Sequence, residues 1–192
     1  MIEIRIHGRG GQGTVIASQI LAEAAFREGK HVQAFPSFGS ERRGAPVAAF
    51  VRLDTEPILV RTEIYEPDGL IVLDQSLILQ KLVDVTQGLK EGGWILVNSS
   101  HPPEDFAHLG PYRLATVDAS RIAAEHRLGS ITAPIVNTAI LGAFSAFTGL
   151  VGLEAIAEAI SATVPVKSEA NVEAARAAAV AVSVAEPAPA GR

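Results

Sequence analysis

The chain predicts an α/β fold: a mostly parallel, Rossmann-like sheet covered by helices, with a helical C-terminal segment. Three observations carry that expectation. An apolar strand, Ile2 to His7, runs into Gly8-Arg9-Gly10-Gly11-Gln12-Gly13 and from there into a helical pattern. Short apolar runs such as Leu70-Ile71-Val72-Leu73 and Trp94-Ile95-Leu96-Val97 show no polar alternation, as strands buried on both faces do. Strand-like and helix-like segments also alternate along the chain, the pattern of βα units. With 192 residues, 48% of them apolar, there is material for one substantial core. A single domain is expected over residues 1–184. Residues 185–192, ending Glu186-Pro187-Ala188-Pro189-Ala190-Gly191-Arg192, have the composition of a flexible tail.

The elements follow in order. After the glycine loop, Ala17, Ile20, Leu21 and Ala24 recur at helical spacing, and Arg27 with Gly29 marks the helix end. A second strand, His31 to Phe35, leads through Pro36-Ser37 into a loop reaching Pro46, long for an ordinary connection. Val47 to Leu53 and Pro57 to Val60 flank Asp54-Thr55-Glu56 and suggest an antiparallel hairpin. The run Leu70 to Leu73 ends at Asp74 and precedes a short helix through Leu77, Leu79 and Leu82; Trp94 to Val97 ends in Asn98-Ser99-Ser100. Tyr112 to Val117 is followed by Asp118, placed as N-cap of a helix to about Leu128. Ser130 to Leu153 carries no charge and is long enough to span a bilayer, but Pro134, Asn137, Thr138 and three glycines interrupt it. A buried helix from Ile135 to Phe147, and no membrane span, is expected. Two further helices, Glu154 to Ala162 and Ser168 to about Val182, are separated by Pro165.

Composition excludes several function classes. The net charge of −5 and scattered basic residues argue against a nucleic-acid surface. Without cysteine the chain holds no disulfide and no thiolate-ligated zinc or iron–sulfur cluster. His7, His31, His101, His108 and His126 lack metal-ligand spacing, and no G-x-S-x-G nucleophile elbow occurs. No catalytic residue is therefore assigned. A strand beginning at Ile2 leaves no room for a signal peptide, so a cytoplasmic location is expected.

The chemistry has to be sought at the glycine loop, where backbone N–H groups can converge on an anion or a carbonyl at a helix N-terminus. Gly8, Gly10 and Gly13 match the dinucleotide spacing G-x-G-x-x-G, but the second strand ends in Pro36-Ser37, with no acidic residue to hold a ribose. The outer spacing of an NTPase loop is also present, yet Thr14 stands where the phosphate-binding lysine belongs. A structural turn and a ligand contact both remain open for the loop. Arg42-Arg43, beside Gly44, suits bidentate anion recognition, or with Glu41 an ion pair at an interface. Asp74 reads as a helix cap or an acid/base group. Ligands of such sheets bind beyond the carboxyl ends of strands, so residues 8–13, 36–44, 74–76 and 98–100 are expected to converge on one crevice.

Two motifs together, I-x-G-R-G-G-Q-G-T at the N-terminus and Ser37-Phe38-Gly39-Ser40-Glu41-Arg42-Arg43-Gly44, closely resemble the gamma subunit of the 2-oxoacid:acceptor oxidoreductases, the pyruvate:ferredoxin oxidoreductase-like group. The resemblance runs from Ile2 to about Val182 and includes Leu73-Asp74, Asn98-Ser99-Ser100 and the Asn137 to Phe144 segment. Relatives often carry Tyr-Gly-Pro-Glu and a second glycine where this chain has Phe38-Gly39-Ser40-Glu41 and Ala45. What the resemblance implies is a multi-subunit enzyme that oxidatively decarboxylates a 2-oxoacid to an acyl-CoA. It implies thiamine diphosphate and [4Fe-4S] clusters on alpha, beta and delta-type partner subunits, with ferredoxin or an NAD-linked flavin subunit as acceptor. This chain would complete the assembly, binding no cofactor alone. Gly8, Gly10, Gly11, Gln12, Gly13, Ser37, Arg42 and Arg43 are its candidate contacts to coenzyme A. The alternatives are a free-standing Rossmann-like nucleotide-binding or regulatory protein, and an assembly scaffold within the same complex.

Overall fold

A computed structural model describes residues 1–37, 44–130 and 132–185. Its centre is a seven-stranded sheet in the order β2-β3-β1-β4-β5-β6-β9. The strands are β1 Ile2–Arg9, β2 His31–Pro36, β3 Pro46–Asp54, β4 Gly69–Val72, β5 Trp94–Asn98, β6 Arg113–Val117 and β9 Ser183–Ala185. Neighbours β1, β4, β5 and β6 are parallel, β2 runs the same way, and β3 and β9 run against them. The expected α/β sheet, mostly parallel, is therefore present.

Alternation along each strand separates two cores. Ile4 and Ile6 of β1, Ile71 and Leu73 after it, Leu96 and Val117 face one side, where α1 Thr14–Arg27, α4 Ala139–Thr148 and α6 Ser168–Ala181 cover them, together with α3 Ala119–Glu125 and α5 Leu153–Thr163. Leu70, Val72, Ile95, Val97 and Leu114 face the other side, under α2 Ser76–Leu79 and the 3₁₀ turn Pro103–Leu109, whose Phe106 is buried. The period of two is what lets one apolar run serve both layers.

Three expectations are corrected. The antiparallel partner of β3 is not residues 57–60: β3 lies between β1 and β2 and pairs with both, so it has no free edge left. Residues 57–60 are instead held by a side chain, as Gln33 Nε2 donates to the carbonyls of Ile58 and Val60. The helix expected from Ile135 starts only at Ala139, because Ala133–Pro134 forms a two-residue strand, β8, against β7 Gly129–Ser130. Ala185, expected in the tail, pairs with Leu114 at the sheet edge; residues 186–192 lie outside the described residues.

The alanine-rich C-terminal helix is small for a packing reason. Ala174, Ala175 and Ala178 are fully buried, and a Cβ built on Gly142 of α4 would collide with the Ala175 carbonyl oxygen. The two helix backbones approach too closely for any side chain there. Gly142→Val should therefore lower the free energy of unfolding by about 3 kcal/mol in urea titration, an overpacking effect that backbone on both sides cannot relieve.

Candidate functional site

Four parallel strands deliver their carboxyl ends to one edge: the glycine loop follows β1, Leu73 to Ser76 follow β4, Asn98 to Ser100 end β5, and Asp118 follows β6. Together with residues 132–137 they line a crevice of about 550 Å³. Three of the four segments expected to converge do so. The segment at 132–137, whose last three residues were expected to begin a helix, supplies the remaining wall.

The loop turns from strand to helix with no space to spare. A Cβ on Gly8 would collide with Thr14 Oγ1, and one on Gly13 would collide with the Asn137 amide. Gly13 also has φ 77°, a left-handed conformation that glycine tolerates best. Gln12 folds back, accepting the Arg9 N–H at 2.7 Å and donating to Asp74 Oδ2 at 3.0 Å. Both polar ends of Gln12 are thus used in shaping the loop. Gly10 extends the β1–β3 ladder, donating to Ala45 O at 2.9 Å and accepting from Gly44 N at 3.1 Å. The two motifs, some thirty residues apart in sequence, meet at that point.

Asp74 joins the loop to the neighbouring strand. Its Oδ2 accepts from Arg9 Nε at 3.0 Å as well as from Gln12, and its Oδ1 accepts from the Ser76 N–H at 2.9 Å and the Ser76 hydroxyl at 2.6 Å. Partial burial pushes this carboxyl up. The Ser76 and Gln12 hydrogen bonds and the Arg9 charge outweigh it and hold the group below its ordinary value. Of the two roles open to Asp74, anchoring and capping the first turn of α2 is the one its contacts fill. Arg9 also donates to Ser76 Oγ at 2.8 Å and to Gly44 O at 3.0 Å. Sequence reasoning missed Arg9; its only signal was a lone cation inside an otherwise neutral loop.

The remaining walls are tied down similarly. Asn98 Nδ2 donates to Leu73 O at 2.9 Å, Ser99 Oγ to Gln75 Oε1 at 2.6 Å, and Asp118 Oδ1 accepts the Arg121 N–H at 2.8 Å, the cap expected there. No Lys, Arg or His lines the crevice among the described residues. What positive potential it has comes from the α1 N-terminus, where Gly13 provides no side-chain cap. Two buried side-chain atoms have no partner among the described residues: Thr14 Oγ1 and Asn137 Oδ1.

Ser37 sits elsewhere. With Arg5, His7 and Phe50 it lines a cavity of about 620 Å³ on the opposite face of the sheet. There Arg5 Nε donates to His7 Nε2 at 2.9 Å, and Arg5 Nη2 donates to Val85 O and Gln87 O. Burial, and next to it the Arg5 charge, push His7 down to about 3, with Asp84 opposing. Arg42 and Arg43, with Phe38 to Glu41, lie outside the described residues.

A profile described as pyruvate ferredoxin/flavodoxin oxidoreductase matches residues 3–181. The chain belongs to this family. It is 57% identical over 166 residues to the pyruvate/ketoisovalerate oxidoreductases common subunit gamma of Thermococcus kodakarensis, covering 85% of this chain and 86% of the relative. It is 50% identical over 177 residues to pyruvate synthase subunit PorC of Methanothermobacter thermautotrophicus, covering 92% and 93%. The crystal structure of pyruvate oxidoreductase subunit PORC from Thermotoga maritima superposes with a TM-score of 0.80 at 38% identity, covering 96% of this chain and 98% of that one. The chain is thus a gamma subunit of a multi-subunit 2-oxoacid oxidoreductase, as its two motifs imply. Among the described residues no helix of this gamma subunit is long and apolar enough to cross a membrane.

Proposed function

We propose that this gamma subunit completes a cytoplasmic complex in which a 2-oxoacid and the thiol of coenzyme A become an acyl-CoA and carbon dioxide, two electrons leaving through iron–sulfur clusters. In this reading residues 1–184 are one gamma-type domain. Alpha and beta partners hold thiamine diphosphate, beta and delta-type partners hold [4Fe-4S] clusters, and ferredoxin or an NAD-linked flavin subunit takes the electrons. The gamma chain contacts coenzyme A at the glycine loop, with Gly8, Gly10, Gly11, Gln12 and Gly13 forming the turn and Arg42 and Arg43 contributing from the second motif, while Ser37, on the opposite face, takes no part. The family implies the cluster and thiamine groups, and this chain is not built for the clusters: it has no cysteine.

The observation that carries the coenzyme A contact is the convergence of three strand-end segments on the uncapped N-terminus of α1. The Gly10–Gly44 pairing supports the second motif's part, because it ties that motif's end to the loop. Replacing Arg42 and Arg43 together by Ala should raise the apparent KM for coenzyme A about tenfold while the complex still assembles, as read by native mass and steady-state kinetics. Loss of assembly with an unchanged KM in residual complex would assign the pair to an interface instead.

A further inference from the structure

We infer that the cavity on the opposite face of the sheet, around Arg5 and His7, is a binding site for a small aliphatic carboxylate. This site is separate from the coenzyme A contact, because no residue of the glycine loop lines it among the described residues. A buried charge without a counter-charge marks it. Arg5 is 9% exposed, and its three hydrogen bonds go to neutral acceptors, His7 Nε2, Val85 O and Gln87 O. No carboxylate pairs with it among the described residues. Arg52, buried on the same face of the sheet, has the ordinary arrangement, its Nε donating to Glu3 Oε1 at 2.8 Å. Burial lowers the Arg5 pKa although Asp84 opposes, whereas a carboxylate in direct contact would raise it.

The unspent donors open into the cavity. Arg5 Nε and Nη2 are engaged, which leaves the two N–H bonds of Nη1. His7 Nε2 accepts from Arg5, so the imidazole proton sits on Nδ1, which donates to nothing among the described residues. Both residues line the cavity, and neither nitrogen is among the enclosed unpartnered atoms, which are Thr14 Oγ1 and Asn137 Oδ1. What surface these two nitrogens keep is therefore cavity wall. Charged and neutral N–H donors that lack acceptors, in a site where water solvates the cation poorly, suit a carboxylate. Asp84, the one acid of the lining among the described residues, is exposed, and its Oδ1 is committed to the Thr86 N–H and hydroxyl. With that acid beside the one guanidinium, a single negative charge is accepted more readily than the near-double charge of phosphate. Pro46, Val47, Phe50 and Val83 give the rest of the wall an apolar surface for a short carbon chain.

Equilibrium dialysis of radiolabelled propionate against the full-length gamma chain and against the assembled complex tests this, with propionamide and inorganic phosphate as competitors. Saturable binding of one propionate per gamma chain, displaced by neither competitor, is expected. Binding that persists in the complex would identify the ligand as a free small carboxylate; binding lost on assembly would assign the site to an acidic side chain of a partner. Asp84→Asn, which keeps Oδ1 for Thr86, should tighten propionate binding about threefold, the effect of removing one solvent-screened like charge. Ala48→Leu, which fills the cavity at the position paired with His7 and leaves Arg5 and His7 themselves unchanged, should weaken it by about tenfold or more. No binding to the gamma chain, displacement by propionamide or phosphate, or an Asp84→Asn chain that binds no more tightly would each overturn the assignment. So would binding seen only in Glu41→Gln, since the chain would then supply its own carboxylate.

Discussion

Asp74→Ala is expected to cost the complex at least tenfold in turnover and the gamma subunit about 2 kcal/mol in stability. The carboxylate accepts four hydrogen bonds from three residues, two in the glycine loop and one in the first turn of α2, and so ties the loop to the neighbouring strand end. Removing it leaves the Arg9 guanidinium, only 24% exposed, with the Ser76 hydroxyl, Gly44 carbonyl and Gln80 amide but no counter-charge. Arg9 then has reason to seek solvent, and Gln12 loses one of the two bonds that fold it across the loop. Loop geometry and ligand contact should fail together. Asp74→Asn separates the loop from the helix cap. Keeping Oδ1 toward Ser76 preserves the cap, whereas an NH₂ group in place of Oδ2 meets the N–H groups of Arg9 and Gln12, donor against donor. Near-normal unfolding with lost turnover is the result expected of Asp74→Asn. Full turnover in that variant would show that the loop does not need the Asp74 link.

Much of this frame is legible in the sequence because it is local. The β1–loop–α1 turn needs glycines at fixed positions, and the structure uses Gly8 and Gly13 to avoid collisions with Thr14 and Asn137. Asp118 caps the helix it precedes, and the apolar runs at 70–73 and 94–97 are the central strands β4 and β5 to within a residue. What stayed hidden depends on pairing across long separations. Whether Val47 to Leu53 turns back on the following residues or inserts between β1 and β2 is settled by which strand edges are free, and period-two alternation is the same in either case. Ser183 to Ala185 is too short to stand out, and gains strand character only from the open edge of β6. The crevice was legible as a place, at the strand ends, but not as an inventory. Arg9 meets Asp74 across 65 positions and Asn137 meets Gly13 across 124, and neither distance leaves a mark on local pattern. Ser37 was grouped with the glycine loop as the first residue of the second motif, yet it lies just past the end of β2 and lines the cavity on the opposite face.

That opposite face carries the second large effect: acidification from pH 7 to about pH 5 is expected to remove about 2 kcal/mol of stability through His7 alone. The histidine is buried and its Nε2 must stay unprotonated to accept from Arg5 Nε, while Arg5 is itself fixed by the carbonyls of Val85 and Gln87. A proton on His7 would place a second positive charge beside a guanidinium in a site where burial already disfavours the first. With the folded value pushed down to about 3 from an ordinary 6.5, the unfolded chain binds the proton first. Stability is therefore complete above about pH 6.5 and falls with pH through the window down to about 3, by about 1.4 kcal/mol per pH unit well inside it. The carboxylates held low by their partners, Asp74, Asp54, Glu28 and Glu154, act in the same direction lower on the pH scale: they stabilise above their unfolded values, and that stabilisation is lost only as pH falls below about 4.5. The interval from 6.5 to 4.5 thus isolates the histidine. Urea unfolding across it should show the slope in the native chain and a much flatter line in His7→Gln, whose side-chain oxygen can still accept from Arg5. Equal slopes in the two chains would mean that the pH dependence over this interval does not come from His7. Because His7 directly precedes Gly8, loss of the Arg5 bond loosens the end of β1 on which the glycine loop is built, so affinity for coenzyme A should decline over the same interval.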